Sequence, residues 1–449
     1  MAKYDYTTPK DILNSIKQKK KQGYSVYRLN DKKQYAQYHE VILKDKKKAN
    51  KIYNEIRKDL NKPLTKAPKS SPKEMVKFLR NLQIKETGSF VQQPTLLSIE
   101  IERAKHILFQ LTDHNLKPKY PLKFLNRINT GKKLKKYFKS LLFDFSKNNG
   151  DELNLAITGL PNIKKRNFHK FSKEWDKAFY ECLELWQDPK TGYWGPWVKK
   201  GNKIIKYRGL STTFHMIGLY FNKKTFKLNN PKYEMKHKKR LIETTWKIKN
   251  KDYPWGWLEK GKWSTHHNFD VAEIFSRLLN VVKEKDKVRK LFNKFLKWCL
   301  EQQKSNGGFI GYYPWEKEPS IRSTQFAILL LRAIGYFSEP HRKRVWSKVR
   351  LPINNYRIYT KLPKNNFDTS NLKSIIYTKK TTLDPLDTRQ KIFNFWKKHK
   401  HEDPTQALNM SHILEFEKFS VKKIKIFKKI PKLKKNEFLI KVNKYGVVK

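Results

Sequence analysis

Apolar residues recur at helical spacing through much of the chain, most clearly in its middle. Two successive runs share this spacing: Val271, Ile274, Phe275, Leu278 and Val282, and then Val288, Leu291, Phe292, Phe295 and Cys299. Residues at i, i+3, i+4 and i+7 share one face of an α-helix, so each run predicts an amphipathic helix. The polar residues 283–287 between the runs have the length of a helix–helix loop. The pattern predicts an antiparallel hairpin, which needs neighbouring copies of itself to cover its apolar face.

A turn motif follows three of the helical patterns. It consists of Gln, four residues, Gly, one residue and an aromatic ring, and it occupies residues 83–90, 187–194 and 302–309. A fourth copy without the glutamine lies at residues 252–258. Glycine ends a helix in a left-handed conformation that other residues avoid, and the glutamine can bond backbone groups freed at the helix end. The motif predicts equivalent corners of a repeat of about 50 to 60 residues. The glycines at these corners are Gly88, Gly192, Gly256 and Gly307.

Helices with polar first residues are predicted after the turns. Their polar starts are residues 211–215, 266–270 and 322–325, and each leads into an apolar segment. The last of these segments, residues 326–337, is apolar on nearly every face and must be enclosed by other elements. Enclosed helices that alternate with amphipathic ones predict two concentric rings, with the polar starts gathered at one end as a cup. We therefore predict an all-α fold, an α/α toroid of paired inner and outer helices.

Composition divides the chain into three parts. Residues 1–72 form a Lys-rich, mainly helical extension that ends in a Pro/Ser-rich linker. Residues 73–345 hold the repeated pattern and are predicted to form the toroid domain. Residues 346–449 form a basic extension. From residue 421 onwards, Lys alternates in this extension with Ile, Phe and Leu at a period closer to that of a strand.

The chain is strongly basic, with 100 Lys and Arg residues, 40 Asp and Glu residues and a net charge of +60. Such a charge attracts nucleic acid, anionic membranes and acidic polymers. Lysine supplies 83 of the basic residues, whereas recognition of phosphate by fork geometry favours arginine. The Lys excess, with abundant Asn and Ile, is typical of a biased genome composition. We therefore do not expect a nucleic-acid partner, while peripheral contact with an anionic surface stays open.

The remaining composition indicates a cytoplasmic protein without a metal or another cofactor. Cys182 and Cys299 fall in predicted helices and are interpreted as packed thiols in a reducing compartment. No Cys/His set has zinc spacing. The first residues lack the apolar segment of a secretory signal. The longest apolar run is interrupted by Arg332 and is too short to span a membrane.

The motif and its order resemble the repeat of the terpenoid cyclase and protein prenyltransferase superfamily, whose members are α/α toroids. That repeat carries an aromatic–aliphatic pair, then Gln, then Gly-x-aromatic. The pairs here are Phe78-Leu79 before Gln83 and Trp298-Cys299 before Gln303, the second with one aliphatic residue replaced. The resemblance extends over residues 74–340. It implies a central cup that binds an isoprenoid-like or other apolar chain.

The catalytic motifs of that superfamily are altered here. Its cyclases donate a proton from an Asp in an Asp-x-Asp-Asp-Thr-Ala run, and the corresponding residues 267–272 keep only Asp270 and Ala272. Phe269 occupies the position of the donor. The chain contains neither an Asp-Asp-x-x-Asp motif nor a set of Asp, Cys and His corresponding to the prenyltransferase zinc site. The resemblance therefore implies the fold and the cup but not the standard protonation chemistry.

Three polar residues are the candidate catalytic groups: Asp270, His267 and His215. Asp270 follows His267 by one helical turn, and a histidine beside a carboxylate can act as a general acid or base near neutral pH. His215 belongs to the polar start of another predicted inner helix. A structural role stays open for each residue. Asp270 could anchor its helix, His267 could bond a loop carbonyl, and His215 could lie satisfied in the core.

Five further residues are predicted to contact a substrate. Rings in the loops before inner helices can line a cup for an apolar chain or a sugar face. An arginine at a helix start can bind an anion. The five residues are Trp255, Trp257, Asn268, Tyr313 and Arg322. Packing within a loop is the alternative for the rings, and a solvent-facing cap is the alternative for the arginine.

Three functions are consistent with these patterns. The first is an enzyme that holds an isoprenoid-like substrate in the cup, as the resemblance implies. The second is a polysaccharide lyase or hydrolase, because related α/α toroids cleave acidic glycans with His, Tyr, Asn and Arg. Here the residues suited to proton abstraction from a uronic acid are His267, Asn268, Tyr313 and Arg322. The third is a non-catalytic toroid that only binds its ligand.

Overall fold

The structure is a computed structural model of the full chain. It describes residues 8–37, 39–40, 45–66, 72–91, 96–142, 149–195, 197–200, 203–206, 209–222, 225–249, 258–259, 262–263, 265–311, 316–346, 355–359, 375–377, 385–414, 424–426 and 438–442. The chain falls into two compact units, Met1–Ile248 and Lys249–Lys449, each defined by its internal contacts. The division lies within the segment 73–345 that the repeat pattern assigned to one domain.

The described residues are mainly α-helical, as predicted. The helices of the first unit are α1 (Pro9–Lys21), α2 (Tyr27–Gln37), α3 (Lys46–Leu60), α4 (Pro72–Asn81), α5 (Leu97–Asp113), α6 (Gly131–Leu142), α7 (Asn149–Lys164), α8 (Trp175–Trp186), α9 (Leu210–Tyr220) and α10 (Lys238–Lys247). The helices of the second unit are α11 (Thr265–Arg277), α12 (Lys285–Glu301), α13 (Ile321–Ala333), α14 (Glu339–Trp346), α15 (Pro385–His399) and α16 (Pro404–Leu414).

Short strands join some of the helices. They are β1 (Trp197–Lys200), β2 (Lys203–Lys206), β3 (Leu258–Glu259), β4 (Lys262–Trp263), β5 (Asn355–Tyr359), β6 (Ile375–Tyr377), β7 (Ile424–Ile426) and β8 (Phe438–Val442). The first four form two antiparallel hairpins, and the last four form one sheet in the order β7-β6-β5-β8. β7 and β8 lie in the C-terminal segment for which the sequence predicted a strand period.

The basic N-terminal segment has a core of its own. The buried apolar positions on α3 recur at helical spacing and include Ala49, Ile52, Ile56 and Leu60. They pack with buried residues of α1 and α2 in one cluster. Because these side chains leave water together, the Lys-rich segment folds as a small helical bundle. Its Lys32 is buried and donates to Asp59 Oδ2 at 2.8 Å.

Enclosed helices alternate with amphipathic ones in both units. In the first unit α7 packs against α5 and α9, and α9 is buried on most of its faces. In the second unit α13 packs against α11, α12, α15 and α16. This alternation agrees with the sequence pattern, while closure of the helices into a toroid stays a prediction.

Three copies of the Gln–Gly–aromatic turn share one set of contacts. The glycines have positive φ angles: +70° at Gly88, +72° at Gly192 and +91° at Gly307. A glutamine Nε2 donates to each glycine carbonyl, from Gln83 at 2.9 Å, from Gln187 at 2.9 Å and from Gln303 at 3.1 Å. The spacing predicted Gln302 for the third turn, but the neighbouring Gln303 fills this role because that turn is one residue shorter. Gly256, the fourth predicted corner, lies outside the described residues.

Each of these glycines lies against the backbone of a later element of its own unit. A Cβ at Gly88 would lie 1.8 Å from Pro121 O, and one at Gly307 would lie 2.0 Å from Lys391 O. A Cβ at Gly192 would lie 2.7 Å from His237 O. Such distances are far below van der Waals contact, so only glycine fits. The turns therefore fix how one hairpin packs on the next element.

In two of these turns, the backbone of the aromatic residue after the glycine is bonded to the next helix. The backbone N–H of Trp194 donates to Thr213 Oγ1 at 3.0 Å, and the backbone N–H of Phe309 donates to Thr324 Oγ1 at 3.0 Å. Both threonines belong to the polar first turns of α9 and α13. Part of the polarity that the sequence pattern assigned to a cup thus serves to hold these turns in place.

Candidate functional site

A polar stripe runs along one face of α11. It consists of His266, Asp270, Glu273 and Arg277, spaced four, three and four residues apart, which places them on one side of a helix. The Asp270 side chain is fully buried, Glu273 and Arg277 are 7% exposed, and His266 is 22% exposed. The stripe therefore leads from a partly accessible imidazole at the start of α11 into the interior of the second unit.

His266 and Asp270 form the accessible end of the stripe. His266 Nε2 lies 3.5 Å from Asp270 Oδ1. A buried carboxylate is costly unless a partner compensates its charge. A carboxylate beside an imidazole orients the ring and stabilises the imidazolium that forms when the ring accepts a proton. The pair has the composition and the accessibility of a general base supported by a carboxylate.

The start of α13 lies beside this pair. The His266 ring stacks on the Phe326 ring with centroids 4.3 Å apart. The exposed guanidinium of Arg322 lies 5.9 Å from the centroid of the same Phe326 ring. Phe269, which occupies the donor position of the cyclase motif, is buried and lies 6.5 Å from Phe326. An imidazole and a guanidinium therefore flank one aromatic ring at the surface of this unit.

His267 and Asn268 were predicted to lie in one site with Asp270, and the structure distributes these residues differently. His267 is buried, with its ring 5.7 Å from that of His266. Asn268 follows His266 by two residues, which is a rotation of about 200° around the helix. Asn268 is 1% exposed, and its amide oxygen and nitrogen have no hydrogen-bond partner among the described residues. The accessible imidazole is therefore that of His266, and Asn268 lies on the opposite side of α11.

The inner end of the stripe is a buried ionic network. Arg277 Nε donates to Glu273 Oε2 at 2.7 Å, and His341 Nε2 on α14 lies 3.8 Å from Glu273 Oε1. Ser338 Oγ contacts His341 Nδ1 at 2.8 Å. Burial raises the pKa of Glu273, but the charges and hydrogen bonds of Arg277 and His341 outweigh it and hold the pKa below its usual range. The network fixes α11 against α14 and is better suited to structure than to proton transfer.

The other predicted site residues are distributed as follows. His215 is half-buried on α9 in the first unit, with its ring 4.6 Å from that of Phe214. Its convergence with Asp270 stays a prediction. Trp255, Trp257 and Tyr313 lie outside the described residues.

The predicted site residues did not include His266, Glu273, Arg277 or His341. Arg277 carried a sequence signal, because it follows Glu273 by four residues and such pairs interact on a helix. His341 carried none, since it lies 68 residues away from Glu273 in the chain and only the tertiary fold brings the two together.

In the described segments, no group of three or more His, Cys, Asp and Glu side chains is arranged to hold a metal ion. No helix in the same segments combines the length and the apolar composition needed to cross a membrane.

Comparison with known proteins adds no assignment. No protein-family model matches the sequence, and no curated protein matches it significantly. A functional assignment therefore depends on the residues of the site and on their surroundings.

Proposed function

We propose that the chain is an enzyme that abstracts a proton at the start of α11, with His266 as general base and Asp270 as its supporting carboxylate. The observation that carries this proposal is the 3.5 Å contact between a partly exposed imidazole and a fully buried carboxylate. Removing a charge from water is costly, so a buried carboxylate that faces an accessible base is more readily explained by chemistry than by stability.

We propose an acidic glycan as the substrate class. In the elimination, His266 takes the proton on the carbon next to a uronate carboxylate. The electron pair forms a carbon–carbon double bond, the bond from the next carbon to the glycosidic oxygen breaks, and that oxygen takes up a proton from water. Negative charge develops on the carboxylate during this step, and a nearby cation stabilises it. Arg322 is exposed beside Phe326 and is the candidate cation.

The isoprenoid-like substrate implied by the terpenoid cyclase resemblance is less compatible with these groups. Protonating an alkene requires a stronger acid than an imidazolium, and Phe269 stands at the donor position. A dry cup lined by Trp255 and Trp257 would favour that substrate.

For the fold we propose an α/α toroid, because the hairpins of both units carry the same turn contacts. A non-catalytic binding toroid is the outcome if no turnover is found.

The test is a turnover assay on a panel of polyuronates, with the ultraviolet absorbance of the unsaturated product as the readout. We expect His266→Gln and Asp270→Asn to lower kcat by at least about a hundredfold, the typical contribution of general base catalysis. His267→Gln is the matched control, because it changes the adjacent imidazole and should keep most of the activity. Far-UV circular dichroism verifies that each variant is folded.

Each outcome of this assay is informative. Loss of activity in His267→Gln with retention in His266→Gln would move the base to the neighbouring residue and refute our assignment. Absence of turnover by the wild-type protein on every polyuronate would refute the substrate class. An Asp270→Asn variant that unfolds would show that Asp270 is a structural anchor, which would leave His266 without its proposed support.

A further inference from the structure

One exposed face of α12 carries a row of lysines, which we call the α12 lysine face. It consists of Lys287, Lys290, Lys294 and Lys297, all exposed. Their spacing of three, four and three residues places them within an arc of about 80°. The row extends over about 15 Å of the helix. The opposite side of α12 is buried.

A fifth lysine from outside the helix adds to this face. Burial lowers the pKa of Lys249, and the charges of Lys294 and Lys287 lower it further. Lys249 therefore lies close enough to both ammonium groups on α12 for their charges to repel its own. The second unit thus concentrates positive charge from two parts of the chain in one area.

Some lysines on other helices have a carboxylate partner. Lys105, Lys164 and Lys238 each form an ion pair with a carboxylate. On the α12 lysine face, Lys287 pairs with Glu284 at 3.1 Å, and no acidic residue lies between the lysines of the row. Like charges three and four residues apart destabilise a helix. Glu301 is also exposed on this face of α12, and it follows the last lysine of the row by four residues. The stretch from Lys287 to Lys297 itself carries basic charge without an intervening carboxylate.

The character of the face limits which polyanion it suits. The exposed residues of α12 include no aromatic ring, whereas single-stranded nucleic acids bind through rings on which bases stack. They also include no large apolar side chain, which an amphipathic helix needs to enter a membrane surface. The one arginine of the helix, Arg289, is already bonded to Val345 O and Asp286. Its guanidinium is therefore engaged within the protein and does not provide a bidentate phosphate site.

We propose that the α12 lysine face binds an acidic polysaccharide through its carboxylate or sulfate groups. Point charges on flexible stems suit a polymer whose anionic groups are regularly spaced but conformationally variable. The C-terminal half of α12, which carries Lys297, lies near the start of α13, because Cys299 Sγ contacts Ala327 O at 4.0 Å. Phe326 at that start of α13 stacks on the His266 ring. The inference deepens the proposed function, on which it rests for the substrate. The face would hold the polymer near the base and raise its effective concentration there.

The test measures binding separately from turnover. Binding of a fluorescent polyuronate is measured in the His266→Gln background, in which the polyuronate should not be cleaved. The triple variant Lys290→Gln/Lys294→Gln/Lys297→Gln should weaken binding on the order of tenfold at low salt, because each exposed ion pair contributes modestly. The salt dependence of binding should also become shallower.

The matched control changes the same number of charges at dispersed sites. Lys304, Lys317 and Lys398 are exposed and lie on a turn, a loop and α15. Their triple change to Gln should alter affinity less than threefold, by about 0.6 kcal/mol or less. An equal loss in both triple variants would show a general charge effect and overturn the proposal.

Two further probes decide the partner class. The probes are duplex DNA and vesicles that contain anionic lipid, and the binding of each is compared with that of the polyuronate. If one of them binds more tightly than the polyuronate and loses affinity in the same triple variant, the face belongs to that partner and our proposal is refuted. If the polyuronate binds as expected but the wild-type protein does not cut it, the lysine face stands and the proposed catalytic function fails.

Discussion

The turn around Gly192 provides the sharpest test of how the hairpins are joined, through the substitution Gly192→Ala. Gly192 has a φ of +72°, and an added Cβ would lie 2.6 Å from Leu241 N and 2.7 Å from His237 O. Both atoms belong to the backbone at the start of α10. No side-chain rotation can remove the overlap, so either α10 or the turn must move.

The expected loss of stability combines two effects. An L-residue with a side chain at positive φ costs about 1 kcal/mol, and overpacking against fixed atoms costs about 1–3 kcal/mol. Movement of the turn also weakens the buried bonds from Gln187 Nε2 to Gly192 O at 2.9 Å and to Lys236 O at 3.0 Å. We therefore expect Gly192→Ala to lower the free energy of unfolding by about 3 kcal/mol or more.

Urea unfolding followed by far-UV circular dichroism measures this loss. The midpoint should fall at an unchanged m value, since the area exposed on unfolding stays similar. Lys190→Ala is the matched control, because Lys190 is exposed in the same turn and its substitution should change stability by less than about 0.5 kcal/mol. A loss below about 1 kcal/mol for Gly192→Ala, or an equal loss in the control, would refute the contact between this turn and α10.

Three further predictions concern polar side chains that are buried or half-buried. Gln303→Leu should lower the free energy of unfolding by about 1–2 kcal/mol, because it removes a hydrogen bond to a turn carbonyl, while Gln302→Leu should be close to neutral. If urea unfolding instead shows the larger loss for Gln302→Leu, Gln302 is the glutamine that holds this turn, as the sequence spacing predicted. The pKa of Glu273 is held below its usual range, so its contribution is complete above the ordinary glutamate pKa and is lost as pH falls towards the lowered pKa. Glu273→Gln should therefore cost about 3 kcal/mol at pH 7, and this difference should shrink below about pH 4; a difference independent of pH would contradict the ionised pair. Asn268→Leu should raise stability by about 1 kcal/mol, since it removes a buried amide without a described partner, and a clear loss of stability would instead indicate that a bound water or ligand satisfies the amide.

The sequence predicted the helical part of the fold well because its signals are local. The runs from Val271 and Val288 correspond to α11 and α12, and the turn glycines identified the positions at which helices end. The β1–β2 hairpin was missed, although Gly201-Asn202 between two short runs of Lys and β-branched residues is a known hairpin signal. The arrangement of hairpins relative to one another depends on contacts such as Gly307 on Lys391, and no local pattern encodes them.

The site was predicted only in outline, because helix rotation decides which side chains meet. Residues 266–270 were predicted as the polar start of a helix, and α11 begins at Thr265, so the two histidines lie within the helix as expected. His266 then stands one turn before Asp270, while Asn268 points to the other side. The sequence spacing between His267 and Asp270 also fits a helical turn, and only the coordinates distinguish the two imidazoles by their exposure.

The joints at Gly88, Gly192 and Gly307 have a consequence for how this protein can change over evolution. The contacts at the glycines are made by main-chain atoms of the facing elements, and every amino acid supplies the same main chain. Mutational drift towards lysine and asparagine can therefore replace most of the residues on the outside of the molecule without touching the joints. A fold held by main-chain contacts can therefore be retained after most of its surface residues have changed. Sequence similarity to relatives can then be lost while the packing of the hairpins is kept.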